Sequence, residues 1–88
     1  MTPFSLKISS PEGDLFSGKV LSISLRGTEG DLAVMAGHIP FISYVKECDC
    51  KILLEDEKEI VSHTLGGVLT VGKDETVFLC SSFTPKEE

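Results

Sequence analysis

Leu21-Ser22-Ile23-Ser24-Leu25-Arg26-Gly27-Thr28-Glu29-Gly30-Asp31-Leu32-Ala33-Val34-Met35-Ala36-Gly37-His38-Ile39-Pro40 is the stretch on which the reading of the whole chain turns. Leu21, Ile23 and Leu25 alternate with Ser22 and Ser24, the period-two pattern of a strand with one buried face and one wet face. Gly27 and Gly30 bracket two polar residues, which marks a tight turn. Leu32 to Ala36 is extended again, with Leu32 facing the core and Asp31 facing water. Gly37-His38-Ile39-Pro40 then breaks the strand and sets a histidine beside a rigid proline.

The same grammar extends outward in both directions. Upstream, Phe4, Leu6 and Ile8 share one side of a first strand, Pro11-Glu12-Gly13-Asp14 turns the chain, and Leu15-Phe16-Ser17-Gly18 reads as a short second strand or edge. Downstream, Phe41 to Lys46 and Cys50 to Glu55 read as strands, and Asp56-Glu57-Lys58 turns the chain into Ile60 to Leu65. Gly66-Gly67 permits a bulge or a close backbone approach before Val68 to Val71. Gly72-Lys73-Asp74-Glu75 joins that strand to Thr76 to Cys80 as a hairpin. No window carries the i, i+3, i+4, i+7 spacing of an amphipathic helix. The expected fold is all-β: a flattened sandwich or barrel of two antiparallel sheets with about eight to ten short strands. Residues 1–84 form one domain, and Pro85-Lys86-Glu87-Glu88 a frayed polar tail.

Composition narrows the function classes. At 88 residues, 41% hydrophobic and 25% charged, the chain has the make-up of one small soluble domain. Its thin core should leave apolar surface uncovered, as Ile52-Leu53-Leu54, apolar on both sides of one strand, suggests. Eight basic residues against fourteen acidic ones leave a net charge of −6. The basic residues are scattered singly, so neither nucleic acid nor an anionic lipid surface is an expected partner. No apolar run approaches the roughly 20 residues that span a bilayer, and residues 1–7 lack the pattern of a signal peptide.

Chemistry is sparse. Cys48, Cys50 and Cys80 are an odd set that suits a reducing compartment. Cys48-Asp49-Cys50 with His63 or His38 could form a metal site, but zinc sites favour Cys-x₂₋₄-Cys spacing and four ligands. Small hydrophobes in strands are the simpler reading, and a small metal-binding protein stays as an alternative. His63, on the side of Val61 and Leu65, reads as a half-exposed sheet histidine. Glu55-Asp56-Glu57-Lys58-Glu59 lacks the spacing of a calcium loop and reads as a solvated hairpin tip. There is no phosphate-cradling loop and no nucleophile elbow. No catalytic residue, metal ligand or cofactor is assigned.

Gly27-Thr28-Glu29-Gly30-Asp31-Leu32 with Gly37-His38-Ile39-Pro40 resembles the pattern Gly-x-x-Gly-Glu-Leu-Gly-Ile-x-Pro-Gly-His-x-Pro of the epsilon subunit of F-type ATP synthases, called delta in mitochondria. Ser10-x-Glu12 with Leu15-Phe16-Ser17-Gly18 looks like that family's first hairpin. Gly66-Gly67-Val68-Leu69-x-Val71 with Thr76-Val77-Phe78-Leu79 looks like its closing one. The three blocks stand in the family's order and cover about residues 5–82. Departures are Asp31 for glutamate, Ala33 for glycine, Ala36 for proline, Glu47-Cys48 for a Pro-Gly turn and Cys80-Ser81 for Ala-Asp. The family's C-terminal helical hairpin has no counterpart in these residues, so its inhibitory and ATP-binding roles are not assigned to them.

The resemblance implies a non-catalytic central-stalk subunit that joins the gamma subunit to the c-ring and couples ion translocation to ATP synthesis. It implies a chain peripheral to the cytoplasmic face of the bacterial cell membrane, without direct lipid insertion and monomeric when isolated. By resemblance, Glu29 and Asp31 face the c-ring, and Ser10 and His38 face gamma. A free-standing β-sandwich adaptor that kept the fold but not the rotor is the remaining alternative.

Overall fold

The computed structural model describes residues 2–27, 30–37 and 39–85. Eight strands and a two-residue ninth follow one another along them. They are β1 (Phe4–Ser10), β2 (Gly13–Gly27), β3 (Gly30–Met35), β4 (Phe41–Val45), β5 (Cys48–Leu54), β6 (Glu59–Thr64), β7 (Gly67–Val71), β8 (Glu75–Cys80) and β9 (Thr84–Pro85). No helix occurs among the described residues, in keeping with the all-β expectation.

β2 organises the rest. The sequence splits it into an edge piece and a separate strand, whereas the chain runs unbroken over 15 residues. Its first half pairs with β1, from Ser10↔Gly13 to Phe4↔Val20. Its second half pairs with β3 on one side and with β5 on the other. The register slips twice along it, at Leu15 against β1 and at Leu21 against β5. A bulge of this kind puts one extra residue into one strand, bends it and tightens its twist. Two of them let a single strand serve two layers. The slip at Leu21 also changes which side chains turn inward: Val20 is buried and Leu21 only half-buried.

One layer has the order β1-β8-β7-β4, and the other is built on the second half of β2 with β3 on one side and β5-β6-β9 on the other. A single pair, Gly27↔Val45, joins β4 to β2. All pairings are antiparallel except β1 with β8, which is parallel and departs from the expected pair of antiparallel sheets. No hairpin links those two strands, so no turn dictates their relative direction.

The core lies between the layers. Leu6 and Ile8, Leu69 and Val71, and Phe78 meet Ile23 and Leu25, Val34, Cys50 and Ile52. Leu32 is half-buried at the margin of this core, against Gly27 rather than within it. Thr64 is buried and satisfied: its hydroxyl donates to the Ser82 carbonyl at 2.7 Å and accepts the Gly66 N–H at 3.1 Å. That bond ties the segment before β9 to the β6–β7 link. Gly66 has φ of 106°, in the left-handed region. A side chain at Gly67 would run into the Leu79 carbonyl oxygen, so the expected close backbone approach is real.

Gly67→Ala therefore destabilises the fold by about 1–3 kcal/mol or more, since the obstacle is backbone and cannot swing away. Gly18→Ala changes stability by no more than about 0.5 kcal/mol, because its nearest neighbour is the Phe16 ring at 3.7 Å. Urea unfolding of the two variants beside the parent checks the contrast.

Candidate docking faces

Each strand of a two-layer sandwich turns alternate residues outward, and those outward sets are what a partner meets. On the β1-β8-β7-β4 layer the register aligns Tyr44, Val68, Leu79 and Ser9 in one row. The neighbouring row is Ile42, Thr70, Val77 and Lys7. Ile42 is 71% exposed, Tyr44 69% and Leu79 52%. Lys7 is the one charge in the two rows, and Asp14 answers it at 3.6 Å. Contiguous apolar surface of this sort is characteristic of an interaction site.

The other layer mixes charged, polar and apolar side chains, and Met35, Ser22, Leu53 and Glu59 share a row there. Ala33, Ser24, Lys51 and Val61 form one row. Beside it, Asp31 pairs with Arg26, and Asp49 pairs with His63, which has Thr84 of β9 beyond it. Arg26 Nε lies 3.2 Å from Asp31 Oδ1. His63 has Asp49 Oδ1 at 3.0 Å from Nδ1 and Glu47 Oε2 at 3.0 Å from Nε2. One face of the sandwich is thus apolar, and the other holds the paired charges.

The sequence-derived candidates fall unevenly on this frame. Ser10 ends β1, where its hydroxyl donates to the Gly13 carbonyl at 3.3 Å and accepts the Glu12 N–H at 3.2 Å. It helps fold the first turn while lining, with Leu79, a groove at the margin of the apolar face. Asp31 is exposed on β3 and engaged with Arg26. Glu29 and His38 lie outside the described residues.

Ile52 is buried, and Leu53 and Leu54 are half-buried, so β5 is apolar on both sides as expected. β4 is apolar on both sides as well and far more exposed, with Val45 inward and Ile42 and Tyr44 outward. The run Phe41-Ile42-Ser43-Tyr44-Val45, with hydrophobic side chains at four of five positions, was the available signal.

The thiols do not assemble with His63. Cys48 and Cys50 stand opposite Thr64 and Ser62, both buried, while His63 points to the outer face. The Cys48 sulfur accepts the Arg26 N–H at 3.4 Å. Burial, with Cys48 and Cys80 nearby, pushes the Cys50 thiol up to about 12. A thiol so reluctant to ionise is neither a nucleophile nor a ready ligand. Among the described residues no cluster of three or more His, Cys, Asp or Glu is placed to hold a metal ion. This geometry contradicts the reading of Cys48, Cys50 and His63 as one metal site.

Comparison with known proteins adds to this geometry. The family model described as ATP synthase, delta/epsilon chain, beta-sandwich domain matches residues 3–86. The fold is similar to a chain of the Euglena gracilis mitochondrial ATP synthase structure containing OSCP, F1 and c-ring, with a TM-score of 0.89 and 18% identity over 97% of this chain and 54% of that one. It is also similar to a chain of the Tetrahymena thermophila mitochondrial ATP synthase central stalk and c-ring, with a TM-score of 0.77 and 11% identity over 93% of this chain and 66% of that one. The present chain thus spans between about half and two thirds of the length of these solved chains.

Because Arg26 and Asp31 are 63% and 82% exposed, their pairing adds little to stability. Asp31→Ala is expected to move the unfolding free energy by no more than about 1 kcal/mol, read by thermal melting at two salt concentrations.

Proposed function

The chain belongs to the delta/epsilon chain family of ATP synthases, through its β-sandwich domain, and from that premise we propose that it works as a non-catalytic subunit of the rotor stalk. Its apolar face seats on the gamma subunit, and the β2–β3 turn rests on the polar loops of the c-ring. Rotation of the ring then passes through the plate to the catalytic head. The observation that carries this reading is the exposed set Ile42, Tyr44 and Leu79 on paired strands of one layer.

The magnitudes favour that division of labour. A Leu- or Ile-sized side chain moved fully out of water contributes about 1.5–3 kcal/mol. An exposed charge pair contributes about 0–1 kcal/mol. The apolar face therefore supplies the affinity, with Ser10 at its margin and His38 assigned to the same contact. Asp31 and Glu29 supply register on the ring, because charges at a rim steer and orient more than they hold. Torque transmission needs stiffness, and the hydrogen-bonded ladder running through β2 into both layers provides it. Nothing in this role requires a nucleotide, a metal or a cofactor. The chain sits peripheral to the coupling membrane, on the cytoplasmic face if the host is a bacterium, and is monomeric when isolated.

Co-expression with gamma and the c-ring, followed by affinity capture through gamma, tests the proposal. Ile42→Lys and Tyr44→Glu should each cut recovery at least tenfold, which needs only about 1.4 kcal/mol, while melting stays near that of the parent. Asp31→Arg should instead weaken retention of the c-ring, more so at low salt. Full recovery of gamma by folded Ile42→Lys and Tyr44→Glu variants would overturn the assignment of this face.

A further inference from the structure

The charged layer contains an arrangement that rotor docking does not use. A neutral imidazole has one N–H donor and one bare nitrogen, whereas an ionised carboxylate only accepts hydrogen bonds. His63 nevertheless has a carboxylate oxygen 3.0 Å from each ring nitrogen, Asp49 at Nδ1 and Glu47 at Nε2. Both contacts are satisfied together only when both nitrogens carry protons. We propose that His63 is a doubly protonated clasp that fastens the β4–β5 crossing to β6 through Glu47 and Asp49, and that releases one carboxylate when it loses a proton.

The topology gives the clasp something to hold. Lys46 and Glu47 carry the chain from β4 in one layer to β5 in the other. The backbone of this crossing is anchored where the Lys46 N–H donates to the Arg26 carbonyl at 2.9 Å. Asp49 and His63 are directly opposed on β5 and β6. Glu47 reaches the ring from the crossing itself. β4, which begins this crossing, is the strand that bears Ile42 and Tyr44.

The surroundings favour the cation. From β5, His63 faces Asp49, with Lys51 two residues along on the same side. From the crossing come Glu47 and its neighbour Lys46. From β9 comes Thr84, which is uncharged. Glu59 is the other titratable group of β6, and beyond Asp49 lies Arg26, taken up by Asp31. The two carboxylates in contact outweigh the more distant cations.

In keeping with this, the hydrogen bonds to Asp49 and then to Glu47 hold the imidazolium above its usual range. The unfolded chain releases the same proton near pH 6.5. The contribution of the clasp to stability is therefore complete below that value and is lost as pH climbs through the raised value of the folded state. Loss of one proton leaves a single N–H, so one carboxylate then faces a lone pair and is pushed away. His63 is 41% exposed, which leaves the clasp open to both proton exchange and salt screening.

Nitrogen-detected NMR titration of the whole chain tests this clasp independently of any rotor partner. The expected result has both His63 ring nitrogens protonated at neutral pH, with a midpoint above that of a Glu47→Gln/Asp49→Asn double variant. Amide exchange at residues 46–49, corrected for its intrinsic pH dependence, should accelerate through that midpoint in the parent and not in His63→Gln. Single Glu47→Gln should lower the midpoint part of the way, which keeps the test sharp if His63→Gln folds poorly. Equal midpoints in parent and double variant, or a neutral His63 ring at neutral pH, would overturn the clasp.

Discussion

One strand has to belong to two sheets, and most of this structure follows from that constraint. β2 pairs with β1 along its first half and with β3 and β5 along its second. Two extra residues, Leu15 and Leu21, supply the bends between those pairings. With β2 bent across the sandwich, Val20 is buried and Ile23 and Leu25 face Leu6, Ile8 and Phe78 across one core. The close approach at Gly67 and the Thr64 bonds to Ser82 and Gly66 then secure the far side, where β6, β7 and the C-terminal segment converge. A small domain has little core to spare, so these few backbone-level fits weigh heavily.

The division of the outer surface into two chemistries follows from the same frame. Because the layers share β2, a residue shifted by one position would change faces, and with it the character of the surface. The observed register sets Ile42, Tyr44, Val68, Val77 and Leu79 together on one side. It sets Arg26, Asp31, Lys51, Asp49 and His63 on the other. One face is thus apolar and the other holds the paired charges, in a chain that belongs to the delta/epsilon family of ATP synthases. The thiols contribute volume to the core rather than chemistry to either face.

Much of this is legible in the amino-acid sequence. Alternation located β1, the inward Ile23 and Leu25 of β2 and the β7–β8 hairpin, because those patterns are local, whereas the slip at Leu21 put Val20 inward in its place. The glycines at 66 and 67 announced a close approach, because only missing side chains permit one. Three features were hidden. The continuity of β2 was masked by its bulges, which interrupt a period-two reading just where the strand bends. The parallel pairing of β1 with β8 involves residues about seventy positions apart (Leu6↔Thr76, for example) with no turn to announce it. The His63 contacts needed the β5–β6 register, which places Asp49 opposite His63. That register was within reach, since counting back from the turn at Asp56-Glu57-Lys58 gives it, but Glu47 enters through a crossing between layers that no periodicity encodes. Ile42 and Tyr44 are signalled only by the run Phe41-Ile42-Ser43-Tyr44-Val45, hydrophobic at four of five positions, which alone does not say which side faces out.

Deuterium uptake, followed by mass spectrometry on the chain alone and bound to gamma, tests the central claim most directly. Seating of the apolar face predicts slowed exchange across Phe41–Val45 and the Leu79 end of β8, with β5 and β6 unchanged. Protection confined to β5 and β6, or none anywhere in the chain when bound, would contradict it.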